Sequence, residues 1–270
     1  MADYSGVFDG FTESTYTHDG ISRQVFSAGE GPAVIVIHEV PGLHPGVVDF
    51  SKRVIARGHH VRMPSLFGTP GKPVTIGYAL RSAVSGCVAR EFTTWALNRT
   101  SPIIGWLRAL AADAHQACGG PGVGAVGMCF TGGFALGMMV DETMLAPVLS
   151  QPSLPFSMGK KRKAATGISD ADLAAVKKRA EQGACLMGLR FTDDGLAPPE
   201  RFETLRRELG DSFIAVEIDS SKGNPHGLKK NAHSVLTEHF VDEPGHPTVD
   251  AMERVLDFFD ERLSVSRRAP

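Results

Sequence analysis

The chain has 270 residues, 42% of them apolar, and a formal net charge of −2, enough for a sizeable core and without the basic stripe that binds nucleic acid. No window approaches the ~18–20 consecutive apolar residues of a membrane span, and residues 1–10 lack the charged start and apolar stretch of a secretory signal. The four cysteines, Cys87, Cys118, Cys129 and Cys185, show no CxxC or metal-finger spacing, so they read as thiols of a cytoplasmic protein.

Ala33–Ile37 is a continuous β-branched run, the pattern of a strand covered on both faces in a parallel sheet. It ends at His38-Glu39-Val40-Pro41-Gly42, where Pro and Gly force a loop. Helical periodicity from Val47 to Arg57 stops at Gly58, and His60–Met63 reads as a second strand closed by Pro64. Residues 64–80 are rich in Gly, Pro and Thr and read as a long excursion; residues 81–98 fit neither period. Pro102–Cys118 is an amphipathic helix ending at Gly119-Gly120, and Val123–Met128 is another buried strand. The small, apolar Gly132–Val140 suits a helix packed tightly on the sheet. A short strand is expected at Pro147–Ser150, then a Pro-rich loop to Gly167. That loop carries the basic run Lys160-Lys161-Arg162-Lys163, read as a solvated connection. Ser169 has the character of an N-cap for a helix through Ala180. Strands at Ala184–Leu189 and Phe213–Ile218 flank a helix at Glu200–Leu209, and Val249–Leu263 is a closing amphipathic helix. Strands alternate with helices throughout. The expected architecture is therefore one α/β domain over residues 1–270, with a doubly wound, mostly parallel sheet.

The segment richest in chemistry is Gly127-Met128-Cys129-Phe130-Thr131-Gly132-Gly133, a buried strand running straight into a small-residue helix. This is the setting of a nucleophile elbow, G-x-S-x-G when serine is the nucleophile. The nucleophile sits in a sharp strand-to-helix turn, so residues two before and two after it must be small. Backbone N–H groups at the helix start then help to hold an oxyanion and favour a thiolate. Gly127 fits. Thr131 departs from the usual glycine, and Gly132 comes one position late. The overlapping Gly122-Val-Gly-Ala-Val-Gly127 matches G-x-G-x-x-G, but it follows a helix and runs into the strand itself, which is the wrong setting for a dinucleotide fingerprint.

A base for the Cys129 thiol must come from a loop after the last strand. His226 and His233 lie in the stretch after Phe213–Ile218, while His239 and His246 come later and nearer the final helix, and the residues alone leave the choice open. Their spacings of seven, six and seven do not suit two metal ligands on one helix face, which needs three or four. No metal and no cofactor is expected.

On these segments the chain resembles the dienelactone hydrolase family of α/β-hydrolases over roughly Ala33 to Leu263. The resemblance is carried by Ile37-His38-Glu39-Val40-Pro41-Gly42-Leu43, the Cys129 elbow, Thr192-Asp193-Asp194-Gly195-Leu196-Ala197-Pro198 and Asn231-Ala232-His233-Ser234. The order nucleophile, acid, histidine is that of α/β-hydrolases. The resemblance implies the α/β-hydrolase fold and a Cys–His–Asp triad of Cys129, His233 and Asp194, with Asp193 the alternative acid. It implies that Glu39 pairs with the resting thiol and takes its proton when substrate displaces it. The oxyanion hole would fall at the backbone N–H groups of Val40 and Phe130. In the family, arginines hold a substrate carboxylate. Here one of those positions is Thr237, and Arg90, or Arg81, is the remaining candidate for substrate binding.

The function so implied is hydrolysis of a small ester or lactone through a cysteine nucleophile, with a small molecule as partner and neither nucleic acid nor membrane. The alternative is a catalytically weak or inactive binding protein on the same fold, a reading that Thr131 favours.

Overall fold

The computed structural model describes residues 4–75, 77–79, 82, 101–154 and 159–263. Eight strands form one sheet: β1 (Thr12–His18), β2 (Ile21–Ala28), β3 (Ala33–Ile37), β4 (His60–Pro64), β5 (Val123–Met128), β6 (Met144–Ser150), β7 (Leu186–Phe191) and β8 (Phe213–Ile218). Their order across the sheet is β1-β2-β4-β3-β5-β6-β7-β8. β4, β3 and β5 to β8 run parallel to one another, while β2 is antiparallel to both β1 and β4.

The helices among the described residues include α1 (Pro45–Ala56), α2 (Pro102–Cys118), α3 (Gly132–Met138), α4 (Lys160–Ala164), α5 (Asp170–Glu181), α6 (Pro199–Leu209) and α7 (Pro247–Leu263). The unbroken apolar run of β3 has a direct explanation. Successive side chains of a strand point to opposite faces, and here both faces are covered. Ala33, Ile35 and Ile37 join α2, α3 and α6 in one core cluster; Val34 and Val36 join α1 and α7 in the other. This is the doubly wound arrangement the sequence predicts. No helix among the described residues is long and apolar enough to cross a membrane.

Three local differences from the sequence reading have physical causes. The hairpin β1–β2 leaves little mark in the sequence, because β1 is an edge strand whose residues Thr12–Thr15 are all exposed, so no apolar alternation marks it. The available signal was Asp19-Gly20 at its tip, where both residues take positive φ, 48° and 75°, as a two-residue hairpin turn requires. β6 begins at Met144, three residues before the expected start, and β7 spans Leu186–Phe191 because a turn at Gly183 delays its entry. The basic run expected in a loop forms the short exposed helix α4, whose Lys163 pairs with Glu200 on α6 at 3.7 Å.

The parallel strands bring their C-terminal ends to one edge, where α/β sheets build their sites. β3 delivers Glu39 there, β5 delivers Cys129, β6 delivers Gln151 and β7 delivers Asp194. His233 lies in the stretch between β8 and α7.

Candidate active site

Cys129 stands between β5 and α3 in one turn of 3₁₀ helix, with φ of +53°. A left-handed backbone at a non-glycine residue is held only where its surroundings enforce it. Close approaches on either side of Cys129 require glycine at its neighbours. A Cβ on Gly127 would lie 2.3 Å from the Thr131 carbonyl oxygen, and a Cβ on Gly132 would lie 2.6 Å from Pro152 Cα. The glycine one position late in the elbow is thus where the β6 loop crosses the helix. The backbone of that loop is tied back by the Ser153 N–H, which donates to the Cys129 carbonyl at 2.9 Å.

Thr131, the departure from glycine, is fully buried and well used. Its hydroxyl oxygen accepts the Met128 N–H at 3.0 Å and lies 3.0 Å from the carbonyl oxygens of Ile37, His38 and Met128. The residue that replaces the usual glycine stitches the elbow to the end of β3.

The imidazole of His233 is mostly buried. Its Nδ1 lies 2.6 Å from Asp194 Oδ2. Asp194 is 3% exposed, and its other oxygen accepts the Leu196 N–H at 2.9 Å. Asp193, the alternative acid, donates its backbone N–H to Ser220 Oγ, and its carboxylate has no partner among the described residues. His233 Nε2 is buried and has no hydrogen-bond partner among the described residues, and the Cys129 sulfur is near enough to act on the ring electrostatically. Burial alone would push the His233 pKa down. The Cys129 sulfur and the Asp194 carboxylate, which both favour the protonated ring, outweigh it and hold the pKa well above the ordinary value.

Glu39 is 1% exposed, and its partners differ from those the family resemblance implies. Oε2 accepts from Ser234 Oγ at 2.6 Å and from Gln151 Nε2 at 3.1 Å. Oε1 accepts from Thr237 Oγ1 and faces His44 Nε2 at 3.3 Å. Cys129 is not among these partners. Burial would raise the Glu39 pKa, but the hydrogen bond and charge of His44, with the Ser234 and Thr237 hydroxyls, hold it at about 2. Thr237, in place of an arginine, serves this carboxylate. Beside it, His38 is fully buried. Its Nδ1 donates to the Glu39 carbonyl and its Nε2 accepts the Leu66 N–H, both at 2.9 Å. These partners hold it as a neutral ring, and burial brings its pKa to about 4.

The remaining sequence candidates separate clearly. His226 and His246 pack edge to face at 5.4 Å, with His246 Nδ1 at Thr248 Oγ1, and they take no part in this cluster. His239 touches the His233 backbone rather than Cys129. Arg90, Arg81 and Cys87 lie outside the described residues. The Val40 N–H is used by no hydrogen bond within the described residues. Phe130 follows Cys129 directly, and its ring packs on Phe67 and Phe134, giving the site an aromatic wall. Among the described residues no three His, Cys, Asp or Glu side chains are grouped to hold a metal ion.

Sequence reasoning missed Gln151 and His44. Gln151 is fully buried with φ of +36°; it gives Nε2 to Glu39 while its Oε1 accepts the Val235 N–H at 3.2 Å. The signal was present, since Ser150-Gln151 is a polar pair ending an apolar strand, as His38-Glu39 is at the end of β3.

Chemically, a partly exposed thiol stands against an imidazole whose far nitrogen is fixed by a buried carboxylate. These are the parts that nucleophilic catalysis requires. A family model described as the dienelactone hydrolase family matches residues 22–263. No curated protein sequence matches the chain. Solved structures with the same fold include a Klebsiella pneumoniae protein provisionally assigned as a dienelactone hydrolase (17% identity, TM-score 0.64, 93% of this chain and 98% of that one). A dienelactone hydrolase-like promiscuous phosphotriesterase from metagenomic libraries follows (16%, 0.60, 94% and 98%). A third is a dienelactone hydrolase from Anabaena variabilis (14%, 0.57, 94% and 100%). The mostly parallel eight-stranded sheet is the α/β-hydrolase fold that these neighbours share.

Proposed function

The chain belongs to the dienelactone hydrolase family, a family of hydrolases, and from that premise we propose that it cleaves a small ester or lactone with Cys129 as nucleophile, His233 as base and Asp194 as the carboxylate that orients it. The observation carrying this reading is the His233 Nδ1–Asp194 Oδ2 contact of 2.6 Å. The Asp194 bond keeps a proton on Nδ1 and turns Nε2 to the sulfur, so the imidazole can take the thiol proton and later activate water.

In the first half-reaction the Cys129 thiolate attacks the carbonyl carbon, and the carbonyl electron pair moves onto oxygen. The N–H groups of Val40 and Phe130 receive that oxyanion. Collapse expels the alkoxide, which takes a proton from the His233 imidazolium, and leaves a thioester. In the second half His233 removes a proton from water. The hydroxide attacks the thioester, and Cys129 departs as thiolate. On this reading Glu39 anchors Ser234, beside His233, through its buried carboxylate.

The alternative of an inactive binding protein drew on Thr131, whose hydroxyl is accommodated by hydrogen bonds within the elbow. Hydrolysis of 4-nitrophenyl acetate by wild type and by Cys129→Ala, with circular dichroism to verify folding, tests the proposal. Turnover by the wild type and its loss in a folded variant are expected. An unchanged rate in Cys129→Ala overturns it.

A further inference from the structure

The proposed reaction requires His233 Nε2 to hold its position against the Cys129 sulfur to within a fraction of an ångström. Yet His233 lies in the long stretch between β8 and α7, which contains turns but no helix or strand. Asp194 fixes the far end of the imidazole. Something else must fix the backbone that carries it.

His239 is placed to do this. Its Nδ1 lies 3.4 Å from the His233 backbone nitrogen and 3.2 Å from that of Ser234. Its own backbone N–H donates to the Ser234 carbonyl at 3.0 Å, closing the segment into a ring. The ring edge packs against Phe191 at the end of β7, 6.3 Å between centroids. A nitrogen that accepts from two N–H groups carries no proton, so the proton of the neutral ring sits on Nε2.

We propose that His239 is a positioning residue for His233: as the neutral Nε2–H tautomer it clamps the backbone of His233 and Ser234 and thereby aims the His233 imidazole at Cys129. This inference rests on the proposed Cys129–His233 chemistry. The surroundings favour the neutral state. Burial lowers the His239 pKa, and the positive charge of His233 and of Lys229 lowers it further, against Glu39 and Glu238, which raise it. Protonating Nδ1 would set a donor against two donors and release the clamp, so activity should fall on the acid side as His239 titrates.

Two variants separate this role from mere packing. In His239→Asn the side-chain oxygen stands where Nδ1 stood and cannot titrate. In His239→Gln the oxygen is one bond farther out, where Nε2 was. We expect His239→Asn to keep kcat at neutral pH within about 3-fold and to carry the acid limb of both kcat/KM and Cys129 alkylation to lower pH. His239→Gln should lose about 10-fold or more in kcat with KM little changed, as expected when two hydrogen bonds that aim a base are lost. Equal kcat and equal pH profiles for the two variants overturn the inference while wild-type turnover leaves the Cys129 mechanism standing; a wild type with no Cys129-dependent turnover fails the mechanism instead. Imidazole ¹⁵N NMR of the wild type needs no variant to fold. A neutral His239 with its proton on Nε2 is expected, and a protonated ring or an Nδ1–H tautomer at neutral pH overturns the proposal.

Discussion

Replacing Thr131 by valine keeps the shape of a buried side chain and removes only its hydroxyl. That hydroxyl accepts the Met128 N–H and lies 3.0 Å from three carbonyl oxygens, two of them at the end of β3. Its one proton serves these acceptors in turn, so valine forfeits one donated bond, about 1 kcal/mol, and takes a partner from Met128 N–H in a site without water access, about 1–3 kcal/mol more. The expected destabilisation is about 2–4 kcal/mol. For 270 residues, an unfolding entropy of about 2.1 cal/mol/K per residue converts this to a fall of about 4–7 °C in Tm. The variant should also lose turnover, because the stitched carbonyls belong to the segment leading into Glu39 and Val40. Thr131→Ser, which retains the hydroxyl, should hold most of both. Thermal unfolding by circular dichroism with 4-nitrophenyl acetate kinetics measures the pair. A Thr131→Val protein that melts within 1 °C of wild type refutes the claim that this hydroxyl holds the elbow.

Asp194→Asn should lower kcat/KM on the order of 10²-fold or more by misorienting the imidazole, whereas Asp193→Asn should stay within a few-fold; the reverse order in steady-state kinetics would move the acid by one residue. Acid should destabilise the fold in two stages. His38 has its folded pKa lowered to about 4 from 6.5, so the unfolded chain binds its proton first and about 3 kcal/mol is lost as pH falls from 6.5 to 4. Glu39, held at about 2, adds a loss that begins as pH drops below the ordinary carboxyl range. Urea midpoints flat from pH 7 to 4.5 would contradict this. Because Thr237 donates to Glu39 where the family resemblance leads one to expect an arginine, matched carboxylate-bearing and neutral substrates should differ in kcat/KM by less than about 100-fold. A larger preference for the anion would require a clamp supplied elsewhere.

How far these features could be read in advance follows from what each residue has to satisfy. β3 and β5 were plain because both faces are buried, so their sequences are unbroken apolar runs. β1 was invisible because an exposed edge strand has no buried face to impose alternation. The His233–Asp194 contact joins two residues that the family resemblance singles out, and Cys129 is marked by the turn chemistry around it. Among the four histidines, spacing alone could not separate His233 from His239. They differ in tertiary partners, Asp194 for one and two backbone N–H groups for the other. The fit of Thr131 and the partners of Glu39 were hidden for the same reason. Both depend on contacts between distant segments, from Thr131 back to Ile37 and from Glu39 across to Ser234 and Thr237.

The central claim is that Cys129 forms a covalent acyl intermediate. Acid-quenched mixing of the protein with 4-nitrophenyl acetate, followed by intact-mass and peptide mass spectrometry, tests it most directly. The account predicts one acetyl group per chain, mapped to Cys129, which disappears with continued turnover and never forms in Cys129→Ala. Acetylation at another residue that keeps pace with hydrolysis, or full hydrolysis by a folded Cys129→Ala protein, would contradict it.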